Sequence, residues 1–212
     1  MPESPRPLRG DRVRNRAALL DAARAQLRLD PDAPLEAIAA AAGLTRRAVY
    51  GHFPSREALV AELATAGARR VADAAAASRH DDPVVDIALV GRLVWDDVEA
   101  VRAMTLSVVR GPLRETVLAD PLAPLHRRLV EDAAAAAAAG IARDDLPPET
   151  VARLVEGAAF TALDESVRAS LGREEGRRLV ILAGLGALGL SWREAAALLE
   201  SHAGRLLRDG DR

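Results

Sequence analysis

Apolar positions recur at spacings of three and four along most of the chain, the period of helices buried on one face. Over 11–29 the apolar set is Val13, Ala17, Leu20, Ala23 and Leu27, which predicts a first helix from about Asp11 to Leu29. The stretch DPDAP at 30–34 ends it, because proline cannot continue a helix but can open the next. LEAIAAAA at 35–42 predicts a short second helix, and Gly43 supplies the backbone freedom of a tight turn. Thr45 stands where an N-cap belongs, before a second short helix reaching about His52. Pro54-Ser55 closes that helix and starts a long one over 55–77. After the polar break SRHDDP at 78–83, helices are predicted over 84–98, 99–110, 121–140, 148–171, 174–189 and 191–208. Breaks fall at Gly111-Pro112, Asp120-Pro121, RDDLPP (143–148) and near Gly172. The expected fold is all-α. A three-helix helix-turn-helix domain at 9–60 follows a disordered, proline-rich arm at 1–8 and precedes a larger helical bundle over 61–212.

Composition strengthens the helical reading. Half of the 212 residues are hydrophobic, yet aromatics make up only 2%, so strand-forming runs are scarce. With no cysteine, disulfides, thiolate metal sites and cysteine nucleophiles are excluded. The four histidines, at 52, 80, 126 and 202, lack metal-ligand spacing. There is no Glu-x-x-His pair, glycine-rich phosphate loop or nucleophile motif, and His80-Asp81-Asp82 reads as a solvated loop. Neither an enzyme, a cofactor nor a metal is expected. The longest apolar run, 179–192, has 14 residues, against the ~20 needed to span a bilayer, and no secretory leader is visible. The expected place is therefore the cytoplasm, away from membranes. The net charge of −2 divides unevenly. Residues 1–60 hold 10 Arg against 7 acids, or +3, and residues 61–212 hold 19 Arg against 24 acids, or −5.

The positive end contains GLTRRAVYGHFPSREALV at 43–60, which gathers positive charge and rings in a chain poor in aromatics. Two short helices joined by a glycine turn form a helix-turn-helix whose second helix can enter a major groove. Val49 and Phe53, four apart, would pack inward with Ile38 and Leu44. Thr45, Arg46, Arg47, Tyr50, His52 and Arg56 would then meet DNA. Arginine can bond two acceptors of a guanine edge or clamp phosphate, while tyrosine and histidine fix register on the backbone. The ordered pattern ALLDAARAQL, then IAAAAGLTRRAVYGHFPSREALV, over about 14–62, resembles the DNA-binding domain of the TetR (tetracycline-repressor-like) family. The resemblance implies that Tyr50 and His52 contact phosphate and that Arg56 replaces a usual lysine. Two departures bear on base contacts: Arg47 stands where a small residue is common, and Ala48 where threonine is common. Arg9, Arg12, Arg14 and Arg16 could reach phosphate or a minor groove, or belong to a solvated arm.

The resemblance further implies a dimeric repressor released from a palindromic double-stranded DNA operator by a small-molecule effector. Helices 148–171 and 174–189 would form a four-helix bundle with a second copy, through Leu154, Val155, Ala158, Ala162, Leu182 and Gly186. An apolar effector pocket would draw on Trp95, Met104, Leu106, His126, Phe160 and Asp164, with Asp96, Arg102 and Thr105 as further polar candidates. Helix 55–77 is the natural connector of the two parts. An effector-free regulator or activator on the same fold, and a DNA-independent helical ligand-binding protein, are the alternatives.

Overall fold

The computed structural model describes residues 9–99 and 114–207. The arm at 1–8, helix 99–110 beyond Glu99, and with it Arg102, Met104, Thr105 and Leu106, lie outside the described residues. The chain is helical, and no strand occurs among the described residues. The helices are α1 (Arg9–Leu29), α2 (Leu35–Ala41), α3 (Arg46–His52), α4 (Arg56–Ala77), α5 (Pro83–Val98), α6 (Arg114–Ala138), α7 (Pro148–Arg168), α8 (Arg173–Leu188), α9 (Trp192–Ser201) and α10 (Ala203–Leu206). Two compact units divide at Ala64/Thr65, within α4 and later than the expected boundary at residue 60. No described helix is long and apolar enough to cross a membrane.

In the first unit α1 packs on α2 and α2 on α3. Its buried side chains include Leu19, Ala23, Leu27, Leu35, Ile38, Val49, Phe53 and Leu59. The inward stripe of α1 follows expectation at Ala23 and Leu27 but not in its first half, where Val13 is 69% exposed and Ala17 is exposed. The true stripe runs Arg16, Leu19, Ala23, Leu27. Sequence periodicity passes over Arg16 because it is charged, although the fold supplies it with a partner.

In the second unit α8 packs on α7 and α5, and α6 packs on α5 and α7. Ile87, Leu89, Leu129, Ala136, Val151, Ile181, Leu185 and Leu199 belong to its main core. Every residue from Val84 to Val90 of α5 is buried, as befits a helix apolar nearly all round. Asp82 starts α5 by accepting the amides of Val84 and Val85, at 2.8 and 3.3 Å. α6 departs from expectation at its start, since it runs unbroken through the expected break at Asp120-Pro121 and on through Pro124. Proline already has a helical φ, and its cost inside a helix, about 3 kcal/mol, comes from a lost hydrogen bond and ring crowding. Buried Leu125, Leu129, Ala133 and Ala136 anchor the rest of α6 and offset that cost. The helix expected over 191–208 is broken at His202, whose backbone (φ −112°, ψ 20°) leaves helical values.

Candidate nucleic-acid interface

The turn between α2 and α3 is built from its own backbone. Gly43 has φ +68°, in the left-handed region open to glycine. The Leu44 amide bonds Ala39 O at 2.9 Å and the Gly43 amide bonds Ala40 O at 3.0 Å, which closes the end of α2. Thr45 then caps α3, its hydroxyl accepting from the Ala48 amide at 3.2 Å. Val49 and Phe53 point into the core, which turns Arg46, Arg47 and Tyr50 outward together.

Arg46 and Tyr50 do not stand alone on that surface. The Tyr50 hydroxyl donates to Glu36 Oε1 at 2.9 Å, and Arg46 Nη2 lies 3.3 Å from the same oxygen. The Arg46 guanidinium also lies 5.7 Å from the centre of the Tyr50 ring. Glu36 is held below the usual carboxylate range, first by its own backbone amide in the first turn of α2, then by Tyr50 and Arg46. It is an anion at neutral pH, on the face that carries the candidate DNA contacts.

His52 is half-buried, and its pKa is lowered by burial and then by the charges of Arg12 and Arg16. At neutral pH it is an uncharged imidazole that can donate one N–H. Arg56 is turned back from the surface. Its Nε donates to Ala33 O at 3.0 Å and its Nη2 to Pro31 O, so it ties the start of α4 to the α1–α2 loop. The expected phosphate contact at Arg56 thus competes with a structural bond to carbonyls that otherwise lack a helical donor.

The N-terminal arginines also differ among themselves. Arg16 donates from Nε to Glu62 Oε1 at 3.0 Å and from Nη1 to His52 O at 3.1 Å, with its guanidinium 4.5 Å above the Phe53 ring. Arg12 reaches Gly51 O at 3.4 Å, and Arg14 pairs with Asp11. Arg16 therefore clamps α1 to the end of α3 and to α4. Arg16→Ala is expected to cost the first unit about 2 kcal/mol, from lost charge-assisted hydrogen bonds and a cation–π contact. Thermal unfolding of the variant against the wild type checks it. Nothing in the local pattern marked Arg16 or Glu36, since their partners lie 46 and 14 positions away.

Of the residues expected at an effector pocket, Trp95, His126, Phe160 and Asp164 lie among the described residues of the second unit. Trp95 is fully buried in a core cluster with Ala162, Leu163 and Val180, with Phe160 partly buried against it. His126 Nδ1 lies 2.9 Å from Glu156 Oε1, linking α6 to α7. Asp164 lies 3.6 Å from Arg168, one turn along α7. Asp96 accepts from Arg177 Nη2 at 2.7 Å and from Arg92 Nε at 3.2 Å. Trp95 serves packing in this arrangement, and Asp96 an ion network. Of the expected dimer residues, Leu154 and Gly186 are exposed and Ala158 and Leu182 are partly so. Val155 and Ala162 instead face the chain's own core, because they share the buried stripe of α7 with Val151 and Ser166. Among the described residues no three His, Asp or Glu side chains gather as a metal site.

Residues 19–63 match the family model for bacterial regulatory proteins, tetR family. Solved structures share the fold across most of their length. SmeT, repressor of the Stenotrophomonas maltophilia multidrug efflux pump SmeDEF, is 23% identical over 81% of this chain and 89% of its own, with a TM-score of 0.58. RolR, solved with resorcinol, is 19% identical over 94% and 98%, with a TM-score of 0.63. Thermus thermophilus FadR, a repressor solved with lauroyl-CoA, is 19% identical over 93% and 98%, with a TM-score of 0.52. At these identities the likeness is one of fold. No curated protein sequence matches the chain.

Proposed function

We propose that this chain, a member of the tetR family of bacterial regulatory proteins by its N-terminal domain, is a dimeric, sequence-specific DNA-binding transcriptional regulator in the cytoplasm. The observation that carries the reading is the capped α2–turn–α3 unit, with Arg46, Arg47 and Tyr50 exposed together on one face. A guanidinium can read guanine O6 and N7, while a phenol and a neutral imidazole hold backbone phosphates. Thr45 adds a hydroxyl at the helix start, where backbone amides favour an anion. Arg56 supplies charge from behind.

A single α3 reads only a few base pairs, so a second copy on a palindrome, about one DNA turn away, supplies length and specificity. The exposed or partly exposed Leu154, Ala158, Leu182 and Gly186 on α7 and α8 are the surface for that copy. Small residues there allow close helix approach. Release by a small molecule is the second part of the proposal, supported by the ligand-bound structures of RolR and FadR. Such an effector acts by binding one bundle conformation more tightly than another. Its site would draw on partly buried Phe160, Asp164 and the His126–Glu156 pair.

The test is selection of bound duplexes from a random pool at several salt concentrations. A palindromic motif whose binding weakens with salt supports a dimeric reader. Binding without an enriched motif rejects sequence reading, and absence of binding at any salt rejects the proposal. On the selected site, Arg46→Ala or Arg47→Ala is expected to lose about tenfold in affinity and relax preference at one base position. Tyr50→Phe should weaken binding to the selected site without relaxing preference at any base position.

A further inference from the structure

Glu36 is out of place on a face that meets phosphate. Its carboxylate takes the only hydroxyl proton of Tyr50 and stands 3.3 Å from Arg46, while remaining partly open to solvent. No second cation is needed to hold it there. Its own first-turn amide and these two partners keep it ionised, so it carries a full negative charge when DNA approaches.

Three consequences follow. Tyr50 can accept but cannot donate until the Glu36 bond opens, so its contact with a phosphate oxygen must displace Glu36. Part of the Arg46 charge is neutralised, which weakens its pull on any phosphate. The carboxylate itself repels the DNA backbone, whatever the sequence. All three act against sequence-independent binding, which rests on phosphate contacts. A base edge can relieve them. The amino group of cytosine N4 donates to a carboxylate in the major groove, and a neighbouring guanine offers Arg46 its two acceptors.

Resting on the DNA-binding reading above, we propose that Glu36 is a specificity-determining residue: it restrains Arg46 and Tyr50 from binding phosphate indiscriminately and raises the ratio of operator to non-specific affinity. The device is one of discrimination by penalty, since the wrong duplex leaves a carboxylate facing phosphate with no donor in exchange.

The experiment uses the full chain and its Glu36→Gln and Glu36→Ala variants. Each is titrated with the selected duplex and with a scrambled duplex of equal length over a salt series. Circular dichroism confirms that each variant is folded. Both variants are expected to bind the scrambled duplex several-fold more tightly. Affinity for the selected duplex should stay level or fall, so that the ratio drops about tenfold. In log affinity against log salt, the slope for scrambled DNA should steepen by about one phosphate contact. Adding Tyr50→Phe should shrink the effect of Glu36→Gln on scrambled DNA, because the hydroxyl that Glu36 restrains is gone. An unchanged ratio, or equal weakening on both duplexes, overturns the inference. If the wild type binds DNA without an enriched motif, sequence reading fails separately. Glu36 is then judged on the scrambled duplex alone, where unchanged affinity overturns its restraining role. No DNA binding by any form overturns both.

Discussion

Gly176→Ala is expected to destabilise the helical bundle by about 3 kcal/mol, although alanine favours a helix over glycine by about 1 kcal/mol. The reason is Trp95. A methyl group built at Gly176 would overlap Cη2 and Cζ2 of the indole and stand 2.7 Å from Cζ3. The ring has no room to yield, since Trp95 is fully buried among Ala162, Leu163 and Val180. Interiors pack as densely as organic crystals, so one methyl group in such a place forces a shift of α8 or an off-rotamer tryptophan. For a domain of this size the loss should appear as a fall in melting temperature of roughly 6–12 °C. A double-mutant cycle with Trp95→Phe identifies the cause. The smaller ring vacates the space that the methyl group enters, so the double variant should be more stable than the summed single effects predict. Simple additivity would place the cost elsewhere in α8.

The same pair shows where sequence reading stops. Gly176 and Trp95 are far apart in the chain, and neither a glycine early in α8 nor a tryptophan in α5 announces its partner. Trp95 in an apolar helix suits a pocket wall as well as a core. Local signals served better. Gly43 and Thr45 do their jobs within a few residues of themselves, and the turn and the start of α3 follow from them, whereas the Asp82 cap of α5 stands in what reads as a solvated loop. Proline is a local stop signal, yet buried Leu125, Leu129 and Ala133 hold α6 through Pro121. At Arg16 the charge hides an inward position that Glu62 makes tolerable. At the candidate interface, the outward set on α3 was legible from period alone. Glu36 was not, because it reaches that face from α2 across the turn.

Arg128→Met should cost about 3–5 kcal/mol at neutral pH, the price of leaving buried charge without its partner. Arg128 donates to both oxygens of Asp86, at 2.7 and 2.6 Å, and its remaining donors go to Ala75 O and Ser78 O. It thus joins the end of α4 to α5 from its place on α6. Asp86 is fully buried and accepts a further bond from the His80 amide at 2.6 Å. Burial pushes the pKa of Asp86 up, but its bonds to Arg128, Asp132 and His80 outweigh burial and hold it below the ordinary value. Asp132 is pushed the other way, to about 7, first by burial, then by its hydrogen bond to Asp86 and by the charge there, against the pull of Arg79 and Arg128. Among the described residues its buried Oδ2 receives no hydrogen bond. Arg79, 3.3 Å from Asp132 and 3.6 Å from Glu131, completes the set of charges around the pair.

The two carboxyls shape stability in opposite pH windows. Asp132 binds its proton more tightly folded than unfolded, so its contribution is full below about pH 4 and is lost as pH rises to about 7. A shift of that size amounts to a few kcal/mol, at ~1.4 kcal/mol per pH unit. Asp86 contributes above its ordinary pKa and loses that contribution as pH falls through its lower folded value. Asp132→Asn keeps a donor to Asp86 without a titrating proton, so it should flatten the fall in stability between pH 4 and 7 and raise the melting temperature at pH 8. Arg128→Met removes the cation that both carboxylates need, so its penalty should grow with pH and shrink in mild acid, as Asp86 takes up a proton. Calorimetry of the three proteins from pH 4 to 8 reads both effects. A wild-type slope that survives in Asp132→Asn would show that the titrating group lies elsewhere. A pH-independent penalty in Arg128→Met would reduce Arg128 to a packing role between α4, α5 and α6.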